Sequence, residues 1–480
     1  MKIVLWDTRQ LNASKDFAGG MGVGMWPAGG GFRGRLVRYF YTRDRRPVAL
    51  CYAYLASAFR RLGHEVQYVE DQVPSDGDLY IFCPSLVTLH LEQQAISQAL
   101  AQNPAARVLV VGTVATVLPE MFQRPGVTVV KGEPEQLLWR LDEVLQRPDA
   151  TIQLGTIEDL DSLPLPDWSP FDPQRFRIGY DFWRFPTALV QSSRGCSMKC
   201  NYCPYIVVEN SLRTRAPEAV AEEIRHGIRR WGFRSFKFRD PLFGAKRKNV
   251  FQLAELLGRL PRKIQFSVET RIDLMPAETL RVLQRVGLTS ITVGIETPDA
   301  ATLRKYHRAP MPDDRQVEFV ALCRSLGIRT VAGFMIGFPE DTRESIAQVV
   351  RYAKQVGPTY ANFNIVTPYP GTEFFQQSKE RILDFDFSRY SVFTPVMRCD
   401  HLTPEELSER HQWCARRYYF RWDYLRQNAS LLFPWLRRLG LGRSAAAASA
   451  QPRHEGPPHA LGSAEGLRQR GLRKDSGHGG

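Results

Sequence analysis

The strongest constraint on the fold is a doubled alternation of short apolar runs with helix-period segments, interrupted once by a proline-rich stretch. In residues 1–147, apolar runs at 2–6, 65–69, 79–83, 107–112 and 127–130 alternate with helical patterns at 48–62, 89–102 and 135–145. Strands alternating with helices build a parallel sheet covered on both faces, and such sheets bind ligands beyond the carboxyl ends of their strands. A second series starts at Thr187, with strand patterns at 188–192, 235–238, 264–269, 290–295, 329–336 and 360–365. A helix is predicted over 217–231, where Pro217 suits the first turn and Val220, Ile224 and Ile228 recur four apart. Six β/α units in about 180 residues fit a partial parallel barrel, whose chemistry belongs at the strand carboxyl ends. Between the two series, 148–186 reads as a linker, carrying Pro164, Pro166, Pro170, Pro173 and Pro186.

Composition narrows the class. With 43% hydrophobic and 24% charged residues, the 480-residue chain has enough apolar material for a sizeable core, which excludes wholesale disorder. No apolar run approaches the ~18–20 residues that span a bilayer, and the opening MKIVLWDTRQ is too short a stretch for a secretory signal, so the expected compartment is cytoplasmic. The formal charge of +14 favours acidic partners without fixing the fold. Part of it lies at Arg225, Arg229, Arg230, Arg234, Lys237, Arg239, Lys246, Arg247 and Lys248, with Asp240 the one acid between them, and reads either as a solvated face or as a docking patch. Nucleic acid is not expected there: Phe233, Phe236 and Phe238 alternate as a buried strand does, rather than standing between the charges as stacking platforms. The glycine-rich stretch 19–34 lacks the GxGxxG spacing of a dinucleotide loop.

Eight cysteines in so long a chain do not make a disulfide scaffold. Cys51, Cys83, Cys323, Cys399 and Cys414 are scattered, whereas Cys196, Cys200 and Cys203 fall within eight residues, directly after the first strand of the second series. Three thiolates spaced CxxxCxxC on one loop hold one corner each of an iron–sulfur cube and leave the fourth iron open to a small molecule. Structural zinc and closed electron-transfer clusters want four ligands, and no fourth Cys or His follows within twenty residues.

This motif, RGCSMKCNYCPY at 194–205, resembles the signature of radical S-adenosylmethionine enzymes. The segments FRDPLF, VETRIDLM, TVGIET, MIGFPEDT and TPYPGT fall after the later strands, where that family has similar sequences. The resemblance implies a [4Fe–4S] cluster on Cys196, Cys200 and Cys203. S-adenosylmethionine would be chelated at the unique iron and cleaved reductively to a 5′-deoxyadenosyl radical. It further implies that Arg271 meets the methionine carboxylate, that Glu269 or Glu296 takes ribose hydroxyls or the ammonium, and that backbone at Tyr202 meets adenine. Asp240 stands where many members carry a glycine–glycine–glutamate segment for the methionine amine. Residues 1–147, with PVALCYAYLASAFRRLGHEV, VVGTVATVLPE and VKGEPEQLLWRL, resemble the cobalamin-binding domain of a large subgroup, which implies contacts from Ser85, Gly112, Thr113, Gly132 and Glu133. No DxHxxG supplies a lower axial histidine, and Gly112–Thr113 replaces a glycine pair that relatives often have.

The fold expected is α/β: an N-terminal Rossmann-like doubly wound parallel sheet, a partial (β/α)6 TIM-like barrel over 187–399, a helical C-terminal extension over 400–442 and a disordered tail over 443–480. The extension, rich in Arg, Trp and Leu, suits either packing over the barrel mouth or peripheral contact with a membrane. The activity implied is cobalamin-dependent methylation of an unactivated carbon or a phosphinate phosphorus in a small-molecule or lipid substrate, with an electron donor such as flavodoxin or ferredoxin. A radical cyclase, oxidoreductase or rearrangement enzyme without methyl transfer is the first alternative, and a non-enzymatic iron–sulfur electron carrier the second.

Overall fold

The computed structural model describes residues 1–8, 13–15, 18–24, 46–208 and 211–432. The tail 443–480, the end of the C-terminal extension and most of the glycine-rich stretch lie outside them.

The first series forms a six-stranded sheet from β1 (Lys2–Asp7), β2 (Glu65–Glu70), β3 (Leu79–Phe82), β4 (Arg107–Val110), β5 (Val127–Gly132) and β6 (Thr151–Gly155). Every pairing is parallel and the order is β2-β1-β3-β4-β5-β6, so the winding reverses between β1 and β3. Side-chain alternation in β1 sends Ile3 and Leu5 to one core face and Val4 and Trp6 to the other. The faces are covered by helices that include α1 (Leu50–Arg61), α2 (Leu89–Gln102) and α3 (Leu137–Leu145).

Strand β6 corrects the linker reading of 148–186. Its Ile152 and Leu154 are buried and the intervening Gln153 is exposed, the pattern of an edge strand with one face inward. Five residues of alternation beside a proline-rich stretch give too short a signal to stand out. The rest of the stretch acts as an aromatic wedge between the two sheets. Trp168 packs edge-on against Phe233 at 5.9 Å, and Phe171 against Tyr68 at 4.7 Å.

The second series forms β7 (Thr187–Val190), β8 (Ser235–Phe238), β9 (Gln265–Thr270), β10 (Leu288–Glu296), β11 (Arg329–Ile336) and β12 (Tyr360–Ile365), all parallel and hydrogen-bonded in sequence order. Sequential parallel order with a helix after each of the first strands is the partial-barrel arrangement. Helix α4 (Pro217–Trp231) begins on Pro217 as expected and stops at Gly232, left-handed at φ 73°. Further helices include α5 (Arg247–Gly258), α6 (Ala277–Arg285), α7 (Asp313–Leu326) and α8 (Arg343–Val356). Beyond the barrel, α9 (Pro404–Tyr419) starts in a Thr403–Glu406 capping box and lies against α8 and β12. Helix α10 (Trp422–Leu432) follows it. Among the described residues no helix is long and apolar enough to cross a membrane.

The basic segment divides in two. Lys237 and Arg239 lie on and just past β8 and are buried, Lys237 on Asp181 at 2.9 Å and Arg239 on Glu269. The two are therefore barrel-interior ion pairs and not part of a surface patch.

Gly132 closes β5 with φ 109°, and a Cβ built there would stand 2.3 Å from the backbone oxygen of Gly155. Gly132→Ala is expected to cost about 1–3 kcal/mol through the strained backbone alone. The urea midpoint of the full chain should fall accordingly, and an unchanged midpoint would contradict this packing.

Candidate functional site

The cysteine loop leaves β7 and is closed at its base by a short antiparallel pair, Ser193–Arg194 with Arg213–Thr214. Gly195, at φ 73°, turns the chain into Cys196. Cys196 and Cys200 are buried and Cys203 is half-buried. Within the loop, the Cys203 N–H donates to the Cys200 carbonyl at 3.1 Å and the Met198 N–H to the Cys196 sulfur at 3.4 Å. Burial raises the Cys196 thiol and pushes Cys203 up to about 12, with the neighbouring thiols adding to the Cys203 shift. Such thiols give up their protons to a bound cation rather than to water.

Among the described residues, no three His, Cys, Asp or Glu side chains converge on a single ion. Three thiols on one loop, with no carboxylate among them, match the donor set of an open iron–sulfur cluster. An aromatic wall backs the loop: Tyr202 meets Phe338 edge-on at 6.3 Å, and Phe338 stacks on Tyr306 at 4.6 Å.

Two arginines stand beside the thiols. Arg308 places Nη1 3.9 Å from the Cys200 sulfur, and its Nη2 donates to the Gly294 carbonyl and lies 3.3 Å from Glu296. Gly294 makes this possible, since a Cβ there would sit 2.3 Å from the Glu296 carboxylate and 2.9 Å from Arg308. Burial raises the Glu296 carboxyl against the pull of Arg308 and Arg271. Arg271 follows β9 and its guanidinium chelates Asp273 at 3.0 and 3.2 Å. Arg271, Gly294 and Arg308 line one small cavity. Glu296 pairs with Arg308 and feels the charge of Arg271, so two residues singled out from sequence stand near one another and the structure adds Arg308.

Glu269 and Asp240 stand differently. Glu269 is engaged by Arg239, by Lys237 at 3.4 Å and by the Tyr205 hydroxyl at 3.5 Å. Asp240 is fully buried and accepts from the Ser192 N–H at 2.8 Å and from the hydroxyls of Ser192 and Ser193. In place of an amine contact, its carboxylate holds the turn from β7 into the cysteine loop.

A cleft open to solvent lies between the two sheets. The first sheet contributes Gly112, Thr113, Gly132 and Glu133 from the carboxyl ends of its strands, and the barrel contributes Arg194, Tyr205 and Arg239. Gly112, at φ 92°, takes a turn that a side chain resists, and Thr113 folds its hydroxyl onto the Gly19 carbonyl at 2.5 Å. Ser85 does not reach the cleft. It is fully buried beside Gly22, with its hydroxyl on Thr88 at 2.8 Å.

Glu133 is also more than a lining residue. Its carboxylate takes both Arg213 nitrogens at 2.8 and 3.0 Å and the Ile157 N–H at 2.8 Å, with Arg194 at 3.4 Å. Burial would raise it, but Arg194 and Arg213 outweigh that and hold it below the usual carboxylate range. Arg194 reaches Glu135 as well, at 2.8 Å. Sequence reasoning missed Arg194, Arg213 and Arg308, whose partners are remote in the chain or defined only by packing. The one available signal was Arg194, which immediately precedes Gly195–Cys196.

Residues 190–353 match the model of the Radical SAM superfamily. An uncharacterized methyltransferase of Pyrococcus horikoshii is 25% identical over 393 residues, covering 74% of this chain and 84% of its own. The anaerobic magnesium-protoporphyrin IX monomethyl ester cyclase of Cereibacter sphaeroides is 25% identical over 424 residues, covering 80% and 68%. Among solved structures, the cobalamin-dependent S-adenosylmethionine radical enzyme OxsB, with aqua-cobalamin and S-adenosylmethionine bound, superposes with a TM-score of 0.62 at 13% identity, covering 92% of this chain and 76% of that one. At that identity the likeness is one of fold. Residues 190–353 are thus a radical S-adenosylmethionine domain, the chain is an enzyme of the radical S-adenosylmethionine kind, and its fold is like that of the cobalamin-dependent members. That family works with a [4Fe–4S] cluster and S-adenosylmethionine on small-molecule substrates and needs a reductant, which sets aside the simple electron carrier.

Asp240 yields a pH test. Burial lifts its carboxyl to about 6, against the opposing hydrogen bonds from Ser192 and Ser193. The unfolded value is about 3.9. The folded chain therefore binds this proton more tightly. Its stabilising contribution is complete below about pH 4 and is lost as pH rises through 6. Denaturant midpoints measured from pH 5 to 7 should include this decline in the wild type and lack it in Asp240→Asn. Identical slopes would contradict the assignment.

Proposed function

We propose that the enzyme is a cobalamin-dependent radical methyltransferase acting on an unactivated carbon, or a phosphinate phosphorus, of a small-molecule or lipid substrate. The observation that carries this reading is a cleft that faces the carboxyl edge of the first sheet on one side and the base of the cysteine loop on the other. Cys196, Cys200 and Cys203, on the loop whose two ends line the cleft, would hold the cluster, and Gly112, Thr113 and Gly132, which line it, would form the surface for the corrin. Bound there, the cluster supplies the electron that cleaves S-adenosylmethionine, and cobalamin supplies the methyl carrier.

The chain's own part is orientation and exclusion. The guanidiniums of Arg271 and Arg308 present donors suited to the methionine carboxylate, with Glu296 beside them for the ammonium or the ribose hydroxyls. Backbone at Tyr202 meets the adenine. The Tyr202–Phe338–Tyr306 wall keeps water from the cysteine loop. Glu269 positions Arg239 and Tyr205 on the cleft wall rather than touching the nucleoside. The enzyme works in the cytoplasm and receives electrons from a flavodoxin or ferredoxin, with α9 and α10 available for peripheral membrane contact.

A second reading, a radical cyclase without methyl transfer, is favoured by the similarity to the magnesium-protoporphyrin ester cyclase. Both readings need the same cluster and arginines.

Reconstituted full-length protein should hold about four irons per chain. Joint replacement of Cys196, Cys200 and Cys203 by Ala should abolish them, and Cys323→Ala should not. Arg271→Ala and Arg308→Ala should each keep the iron and weaken S-adenosylmethionine binding by roughly ten- to a hundredfold, the effect of losing one charge-assisted pair of about 1.5–3 kcal/mol. Equilibrium dialysis with labelled S-adenosylmethionine reads this directly. Wild-type affinity in both variants would remove the arginines from the site.

A further inference from the structure

Two thiols outside the cysteine loop face the same cleft. Cys51, in the first turn of α1, and Cys83, immediately after β3, hold their sulfurs 3.9 Å apart. Both line the cleft, whereas Cys323 and Cys414 are fully buried in the core. Their relative position is fixed by the residue next to Cys51. The Tyr52 hydroxyl donates to the Trp6 carbonyl at 2.7 Å and accepts from the Cys83 N–H at 3.1 Å, tying α1 to the ends of β1 and β3. On the far side, Gly112 packs so closely that a Cβ there would sit 2.7 Å from the Cys83 sulfur. The two sulfurs are thus held at the point where the winding of the first sheet reverses, on the floor of the cleft.

We propose that Cys51 and Cys83 form a reversible disulfide across this floor. Closure shortens the sulfur separation from 3.9 Å to about 2.05 Å. A disulfide of the glutathione class is the oxidant. One protein thiolate attacks a sulfur of that disulfide and expels the first glutathione thiolate, leaving a mixed disulfide. The second protein thiolate then attacks the protein sulfur of the mixed disulfide and expels the second glutathione thiolate. The two cysteines lose two electrons and two protons, and glutathione disulfide becomes two thiols. The modification pins α1 to the end of β3 and alters the cleft floor when the surroundings are oxidising. A chemistry that starts from a strongly reduced cluster is idle under those conditions. The proposal does not depend on which ligand fills the cleft.

The test uses the full-length, cluster-reconstituted protein, incubated anaerobically with glutathione disulfide, alkylated, and mapped by mass spectrometry without reduction. The expected result is a crosslink joining the peptides of Cys51 and Cys83, reversed by dithiothreitol. In Cys83→Ser the expected product is a glutathione adduct trapped on Cys51, and in Cys51→Ser an adduct on Cys83. The two single variants cover each other if either folds poorly. Wild-type peptides that carry separate adducts on the two cysteines, or that remain alkylated as thiols, would overturn the proposal.

Discussion

The arrangement rests on one buried ion cluster. Glu133 and Glu135, at the carboxyl edge of the first sheet, meet Arg194 and Arg213, the two residues that close the base of the cysteine loop. Removing one member of such a cluster leaves an unpaired charge in a dry place, which costs far more than the intact pairs contribute. The cluster therefore acts mainly as a specificity device. It fixes where the loop begins relative to the first sheet, and hence the width of the cleft between them. A second buried network, in which Tyr54 on α1 bonds Glu223 on α4 and Glu223 pairs with Arg215 at 2.6 Å, holds the same two layers together.

The elements were more legible than the contacts between them. Strand and helix patterns depend on neighbours two to four residues away, so the parallel series and the helix at 217–231 could be read directly. The edge strand at Thr151–Gly155 failed because only Ile152 and Leu154 carry its alternation. The glutamate–arginine pairs join residues about sixty to eighty apart in the chain, and no periodicity encodes them.

At the site, residue type was a good guide to the thiols and a poor one to carboxylates. Three cysteines within eight residues have few uses. A single acid has many, and its neighbours decide. Asp240 lies on a backbone turn with serines around it, Glu269 lies between Lys237 and Arg239, and Glu296 lies beside Arg308 near the thiols. Those surroundings separate a structural latch, a positioning residue and a candidate ligand contact, all three of which look alike in sequence. Ser85 shows the same limit: one residue past the cleft-lining Pro84, it is fully buried with its hydroxyl on Thr88.

The central claim, that one cleft couples cobalamin to the radical cluster, is tested most directly by the products of S-adenosylmethionine turnover. Full-length protein loaded with iron, sulfide and hydroxocobalamin would be reduced anaerobically with S-adenosylmethionine and analysed by mass spectrometry. The account predicts both 5′-deoxyadenosine, from reductive cleavage, and S-adenosylhomocysteine, from methyl donation, with the corrin retained through gel filtration. If 5′-deoxyadenosine forms alone and the corrin is lost, the chain is a radical enzyme without methyl transfer, and the account is contradicted.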